Sequence, residues 1–272
     1  MTRAINLRIG AALVLVLTVA ALVSLVWTPY DYTVLSVTQK FRPPTADHWL
    51  GTDQLGRDVV SLLMAASVNS LAVAFISVGI GGAIGTALGL TASAFGGWVE
   101  TAIMRVADLG FAFPALLFAI MLAAAFGPSL SNAILAIAFI NVPIFTRVAR
   151  GAANQIWTRD YVLAGRAAGA SQFSLTIDHV LPNISATLIV QATIEFAVAI
   201  LAEAALSYLG LGAQPPMPSW GRMLNEAQTL MYLAPQLAIY PGLCIIAAVL
   251  GFGLLGDGLR DISDPRLARA RA

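Results

Sequence analysis

Charge is scarce in this chain. Asp, Glu, Lys and Arg make up only 11% of its residues, against about a quarter in an ordinary soluble domain. The net charge of +1 gives no basic surface for nucleic acid, which is not expected as a partner. The single cysteine, Cys244, stands in an apolar run. A disulfide or thiolate metal cluster within the chain is therefore excluded, and Cys244 reads as a small buried hydrophobe. The two histidines, His48 and His179, both fall outside the apolar runs, so Ser–His catalysis within a membrane has no histidine to use. Neither H-E-x-x-H nor G-x-x-x-x-G-K-[ST] occurs. The chain has no nucleotide-binding loop of its own. No catalytic residue, cofactor or metal site is expected, and energy for any transport must come from a partner or a gradient.

What is abundant is apolar sequence, 58% of the chain. Long uncharged runs predict an all-α polytopic membrane protein with six transmembrane helices in the lipid bilayer. Span 1 is expected at 9–27, with Trp27 and Tyr30 at the interface. A polar outer loop follows to Asp58, then an interfacial amphipathic helix at 59–66 and span 2 at 68–94. Gly81, Gly85 and Gly89 have the small-xxx-small spacing of close helix packing. Span 3 is expected at 101–126, with Arg105 and Asp108 three apart to pair on one face and Pro114 as a kink. Spans 4, 5 and 6 are expected at 131–149, 184–208 and 233–255, with Pro143 inside span 4. Span 5 carries Glu195 and Glu203. A carboxylate at that depth faces the bundle interior or a water path, so each is either an interhelical contact or a translocation-path residue.

Between spans 4 and 5 lies RDYVLAGRAAGASQFSLTIDHVLPN, residues 159–183. Small residues fill its middle. Gly169 suits a positive φ that ends one helix, and Ser171 suits the N-cap of the next. Pro182 is expected as a stop that biases Leu181 away from the helical region. The stretch predicts two short helices folded about Gly169–Ala170, a compact elbow that another protein can grip. With six spans, both termini lie on the elbow's side, and eleven of the fifteen Lys and Arg fall there. The positive-inside rule makes that side cytoplasmic.

The elbow resembles the cytoplasmic coupling loop of binding-protein-dependent ABC import permeases, E-A-A-x3-G-x9-I-x-L-P. Ala164, Gly169, Leu181 and Pro182 match it, whereas Leu163 replaces the glutamate, Gly165 an alanine and His179 the isoleucine. Asp160 and Arg166 remain as the nearby charges. Four further stretches, 48–66, 96–117, 200–227 and 254–266, are similar to the C-type permease subunits of dipeptide, oligopeptide and nickel importers.

The resemblance implies a type I ABC importer permease fold. It divides the chain into a leading segment 1–66, a transport core 67–256 with a coupling loop at 155–183, and a cytoplasmic tail 257–272. It also implies a bacterial or archaeal plasma membrane, a second permease subunit as heterodimer partner, two ATPase subunits and an extracytoplasmic solute-binding protein. Asp160, Ala164, Arg166, Ala167, Ala168, Gly169, Ala170, Ser171 and Pro182 become ATPase-coupling candidates. The implied substrate is a di- or oligopeptide, with glutathione or nickel as alternatives. A self-sufficient secondary transporter is the competing reading, although no inverted repeat or matched pair of broken helices is visible. A membrane scaffold or an intramembrane enzyme is disfavoured, since nothing titratable clusters in the spans.

Overall fold

The computed structural model describes residues 2–263. The part of the tail at 264–272, including Arg266, Arg269 and Arg271, lies outside the described residues, as does Met1. Ten α-helices run in order: α1 Thr2–Ser24, α2 Val59–Phe95, α3 Gly97–Ala112, α4 Ala115–Phe126, α5 Leu130–Trp157, α6 Asp160–Ala167, α7 Gln172–Leu175, α8 Leu181–Tyr208, α9 Trp220–Ala227 and α10 Gln236–Ser263. By length and composition five helices can cross a membrane, and six can if the bent pair α3–α4 counts as one span.

The bundle is built around α2, which packs along α5 through its glycines. A Cβ added at Gly81 would stand 2.8 Å from the Ala138 carbonyl oxygen, at Gly85 2.7 Å from Phe145 Cβ, and at Gly89 2.8 Å from Ala149 Cβ. Lipid tails are as apolar as the side chains, so helix association in a bilayer relies on such close backbone approach. The three glycines have the packing role their spacing predicts. Helix α1 lies antiparallel to α10. Gly10 sits against the backbone of Gly251 and Leu255, and Gly258 against Leu7, so the start of α1 and the end of α10 share one side.

Four expectations are corrected. The interfacial helix at 59–66 does not exist as a separate element. Helix α2 is continuous over 37 residues, about 55 Å at 1.5 Å per residue. The polar group expected to interrupt it is satisfied inside the bundle: Asn69 donates to the Pro218 carbonyl at 2.6 Å, Ser70 to Glu203 at 2.9 Å, and Ser67 to the Met64 carbonyl at 2.5 Å. The third span is not a kinked helix but two helices bent by 80°, because Phe113 before Pro114 is extended. Asp108 pairs with Arg147 of α5 at 2.6 Å, not with Arg105. Last, helix α10 continues to Ser263, seven residues into the segment expected as tail.

Candidate functional site: the elbow between α5 and α8

Helix α5 ends at Trp157, and the elbow begins two residues later. α6 closes with a glycine turn. Gly169 has φ +86, Gly169 N–H donates to the Arg166 carbonyl and Ala170 N–H to the Gly165 carbonyl, both near 3 Å. This is the paired bonding that caps orphan helix carbonyls and favours glycine at the left-handed position. Ser171 then caps α7, its hydroxyl accepting from Ser174 N–H at 3.1 Å. The two-helix fold about Gly169–Ala170 is as the sequence predicts.

Pro182 is corrected. It does not stop a helix; it occupies the first turn of α8, and Leu181 is helical at φ −58, ψ −45. Residues Thr176–Val180 form a π-helical turn, with Leu181 N–H bonded to the Thr176 carbonyl. The wider turn gives the proline ring room that an α-helical turn lacks. α7, the π turn and α8 thus run on as one membrane-capable helix, Gln172–Tyr208.

The underside of the elbow is apolar. Val162, Leu175 and Val180 pack with Trp157, Leu90, Ala149, Ala153 and Ile184, all buried. Gly165 fits here for a steric reason: a Cβ would meet Leu175 Cδ2 at 2.9 Å. The upper side carries Asp160, Ala164, Arg166, Ala167, Ala168, Gly169, Ala170 and Ser171, all exposed, and Pro182 is exposed at the α8 end. The Arg166 guanidinium lies 5.4 Å from the Trp157 ring centroid, a cation–π contact that fixes its direction. Leu163 and Phe173 are also exposed, Phe173 at 76%. The coupling candidates are thus all exposed, on the elbow and on the first turn of α8.

Glu195 and Glu203 lie elsewhere. Glu195 is buried on α8 and accepts from Gln191 at 2.8 Å. Glu203 is fully buried and accepts from Ser70 of α2 at 2.9 Å and Ser207 at 2.7 Å. Ser70 in turn accepts from Trp220 N–H at 3.2 Å, and Ser207 from Ala213 N–H at 3.1 Å. The carboxylate thus ties α2, α8 and α9 into one outer knot.

A cleft of about 640 Å³ opens between α2 and α8 under α7, lined by Gly82, Thr86, Phe145, Phe173, Ile189 and Phe196 among others. Neither carboxylate lines it. Sequence reasoning passed over Phe173 and Trp157, though two aromatic residues flanking a small-residue elbow were a visible signal. It also passed over the outer ionic network. Arg57 bonds Asp53 at 2.6 Å and Glu226 at 3.0 Å, and Arg222 bonds Glu226 at 3.0 Å. Two of those pairs stand at i,i+4. His48, read as a plain loop residue, is buried against Asp58 at 2.9 Å.

The described residues thus form a helical bundle with five, or up to six, membrane-capable helices and an elbow between α5 and α8, the architecture of a multi-pass membrane protein. The family described as "Binding-protein-dependent transport system inner membrane component" matches residues 81–269. The chain is 42% identical over 240 residues to a dipeptide transport system permease protein DppC of Alkalihalophilus pseudofirmus, covering 88% of this chain and 79% of that one. It is 44% identical over 224 residues to a glutathione transport system permease protein GsiD of Pectobacterium atrosepticum, covering 82% and 74%. An inward-facing MetNI methionine ABC transporter chain shares its fold at a TM-score of 0.62 and 20% identity, covering 75% of this chain and 97% of that one. The chain belongs to the binding-protein-dependent transport system inner membrane component family: it is a multi-pass inner-membrane permease component of an ABC importer, a class that works with ATPase and substrate-binding partners.

Proposed function

We propose that this chain forms half of a translocation path for di- or oligopeptides and is driven by alternating access. In this reading it pairs with a second permease subunit, two ATPases bind beneath, and an extracytoplasmic binding protein delivers the solute. Both termini and the elbow face the cytoplasm, in keeping with the bias of Lys and Arg to that side. The loop 155–183 couples to an ATPase through Asp160, Ala164, Arg166 to Ser171 and Pro182. ATP hydrolysis falls to the partners, since this sequence has no nucleotide-binding loop.

The observation that carries the reading is the elbow itself. Its exposed small-residue face is backed by an apolar cluster, so a push on it displaces helices instead of being lost in a loop. The peptide assignment rests on the dipeptide and glutathione permeases among its relatives; glutathione is itself a peptide, and nickel is the alternative substrate. Reconstitution tests the proposal. The chain alone should show no dipeptide flux under an ion gradient, and the complex with its ATPases and binding protein should show ATP-driven uptake. Gradient-driven flux by the chain alone would overturn it in favour of a secondary transporter.

A further inference from the structure

Helices α3 and α5 present a ladder of charge at the elbow end of the bundle. Arg147 bonds Asp108 at 2.6 Å, with both side chains about half exposed (49% and 48%). Arg150 is ion-paired with Glu100, again with both side chains partly exposed. Arg105, exposed beside them, has no ionic partner among the described residues. Together with Thr101 and Met104 these groups line an open recess of about 580 Å³. Arg147 also lies 4.3 Å from the Phe111 ring centroid.

Position gives this face its interest. Helix α5 is 28 residues long, about 42 Å against ~30 Å of hydrocarbon, so its end near Trp157 projects beyond the bilayer and Arg147 and Arg150 stand near the boundary on the elbow side. Charged side chains at that boundary reach water, not lipid. The opposite face of α3 behaves as a lipid or helix contact should: Val106 and Leu109 are apolar and exposed, at 66% and 64%. The charged recess is distinct from the apolar cleft between α2 and α8.

The geometry points to this recess as the water-filled inner mouth of the translocation path, where guanidinium and carboxylate groups alternate to receive the charged ends of a zwitterionic solute. The inference rests on the importer reading above and adds the path-lining residues that reading lacks. Charge of both signs suits a peptide, which carries an ammonium and a carboxylate. Arg105, with no carboxylate of its own, is the group that takes the solute carboxylate, and low-dielectric walls strengthen that attraction.

The test uses the assembled importer in inside-out vesicles with Cys244→Ala and one added cysteine. Met104→Cys should react with a membrane-impermeant cationic methanethiosulfonate at least about 10-fold faster than Val106→Cys on the opposite face. In proteoliposomes with ATP enclosed and the binding protein outside, Arg105→Gln should lower ATP-driven uptake of an acidic dipeptide, Asp-Ala, about 3-fold or more relative to Ala-Ala. Equal, slow labelling at both positions would mean that the face is covered by lipid or by a partner subunit, and overturns the inference. Unchanged discrimination in Arg105→Gln overturns the role of that residue. Ala-Ala uptake by the Arg105→Gln complex in those proteoliposomes would leave the importer reading standing. Loss of ATP-driven uptake by the unsubstituted complex would overturn both.

Discussion

Gly169 separates backbone geometry from surface chemistry in the elbow. Its φ of +86 disfavours a side chain, yet nothing stands within 4 Å of an added Cβ. Substitution therefore perturbs the turn without a clash. Gly169→Ala places a non-glycine residue in the left-handed region, at about 1–2 kcal/mol. That lowers the population of the native turn by about 5–30-fold relative to its alternatives. Asn adopts this region more readily, so Gly169→Asn keeps most of the turn. Gly169→Asp has nearly the same shape but sets a carboxylate in the middle of the exposed small-residue face. Desolvating an unpaired charge against a partner costs several kcal/mol, or more than about 100-fold in docking. Uptake of a dipeptide into proteoliposomes containing the whole importer is the assay, with the amount of inserted chain measured in parallel. The expected order is wild type, Asn, Ala, then Asp, with Asp inactive and all four inserted equally. Equal uptake by Asn and Asp would refute the docking role of this face. Equal uptake by Ala and wild type would refute the structural one.

Three further predictions concern the bundle. Gly85→Ala forces α2 from α5, because its Cβ would lie 2.7 Å from Phe145 Cβ, whereas Gly79→Ala meets nothing within 4 Å; thermal unfolding in detergent should show Gly85→Ala less stable than Gly79→Ala by about 1–3 kcal/mol, and matching midpoints would contradict the packing argument. Glu203→Leu removes the acceptor of two buried hydroxyls and should destabilise by about 1–3 kcal/mol, with Glu203→Gln milder; a Leu variant as stable as wild type would show that the outer knot does not depend on the carboxylate. Arg57→Ala cuts the ties to Asp53 and Glu226, so amide exchange in 28–58 should quicken by about 10-fold while that of the elbow stays fixed; a uniform change across both regions would argue against a local clasp.

What the sequence shows is local, and what it hides is a partner far away in the chain. Gly169 and Ser171 announce the elbow because their reasons lie within a few residues: a positive φ and an N-cap. Ser67, Asn69 and Ser70 look like an exit from the membrane until Glu203 and Pro218, more than a hundred residues on, are seen to satisfy two of them. The same blindness applies to Asp108. The i,i+3 rule offers Arg105 as its partner, but a residue 39 positions away wins it. Pro182 misleads in another way. Proline ends most helices, and only the π turn ahead of it lets this one continue. Depth alone does not assign a role to Glu203, and its hydrogen bonds to Ser70 and Ser207 are not visible from hydropathy.

These contacts fix how a displacement at the elbow is shared. The apolar cluster beneath it takes Leu90 from α2, Ala149 and Ala153 from α5, and Ile184 from α8. Close-packed groups transmit strain instead of absorbing it, so three spans move with the elbow together. α5 carries α3 with it through two ion pairs. α4, beyond an extended residue and an 80° bend, also packs on α5: Ala119 lies in the main core and Phe118 stacks on Phe139 at 4.3 Å. In the importer reading, α3, α4 and α5 therefore move together, while the knot of Glu203, Ser70 and Trp220 holds the outer ends of α2, α8 and α9. The inner mouth can then change width without loosening the outer end, which is the separation of two gates that alternating access requires.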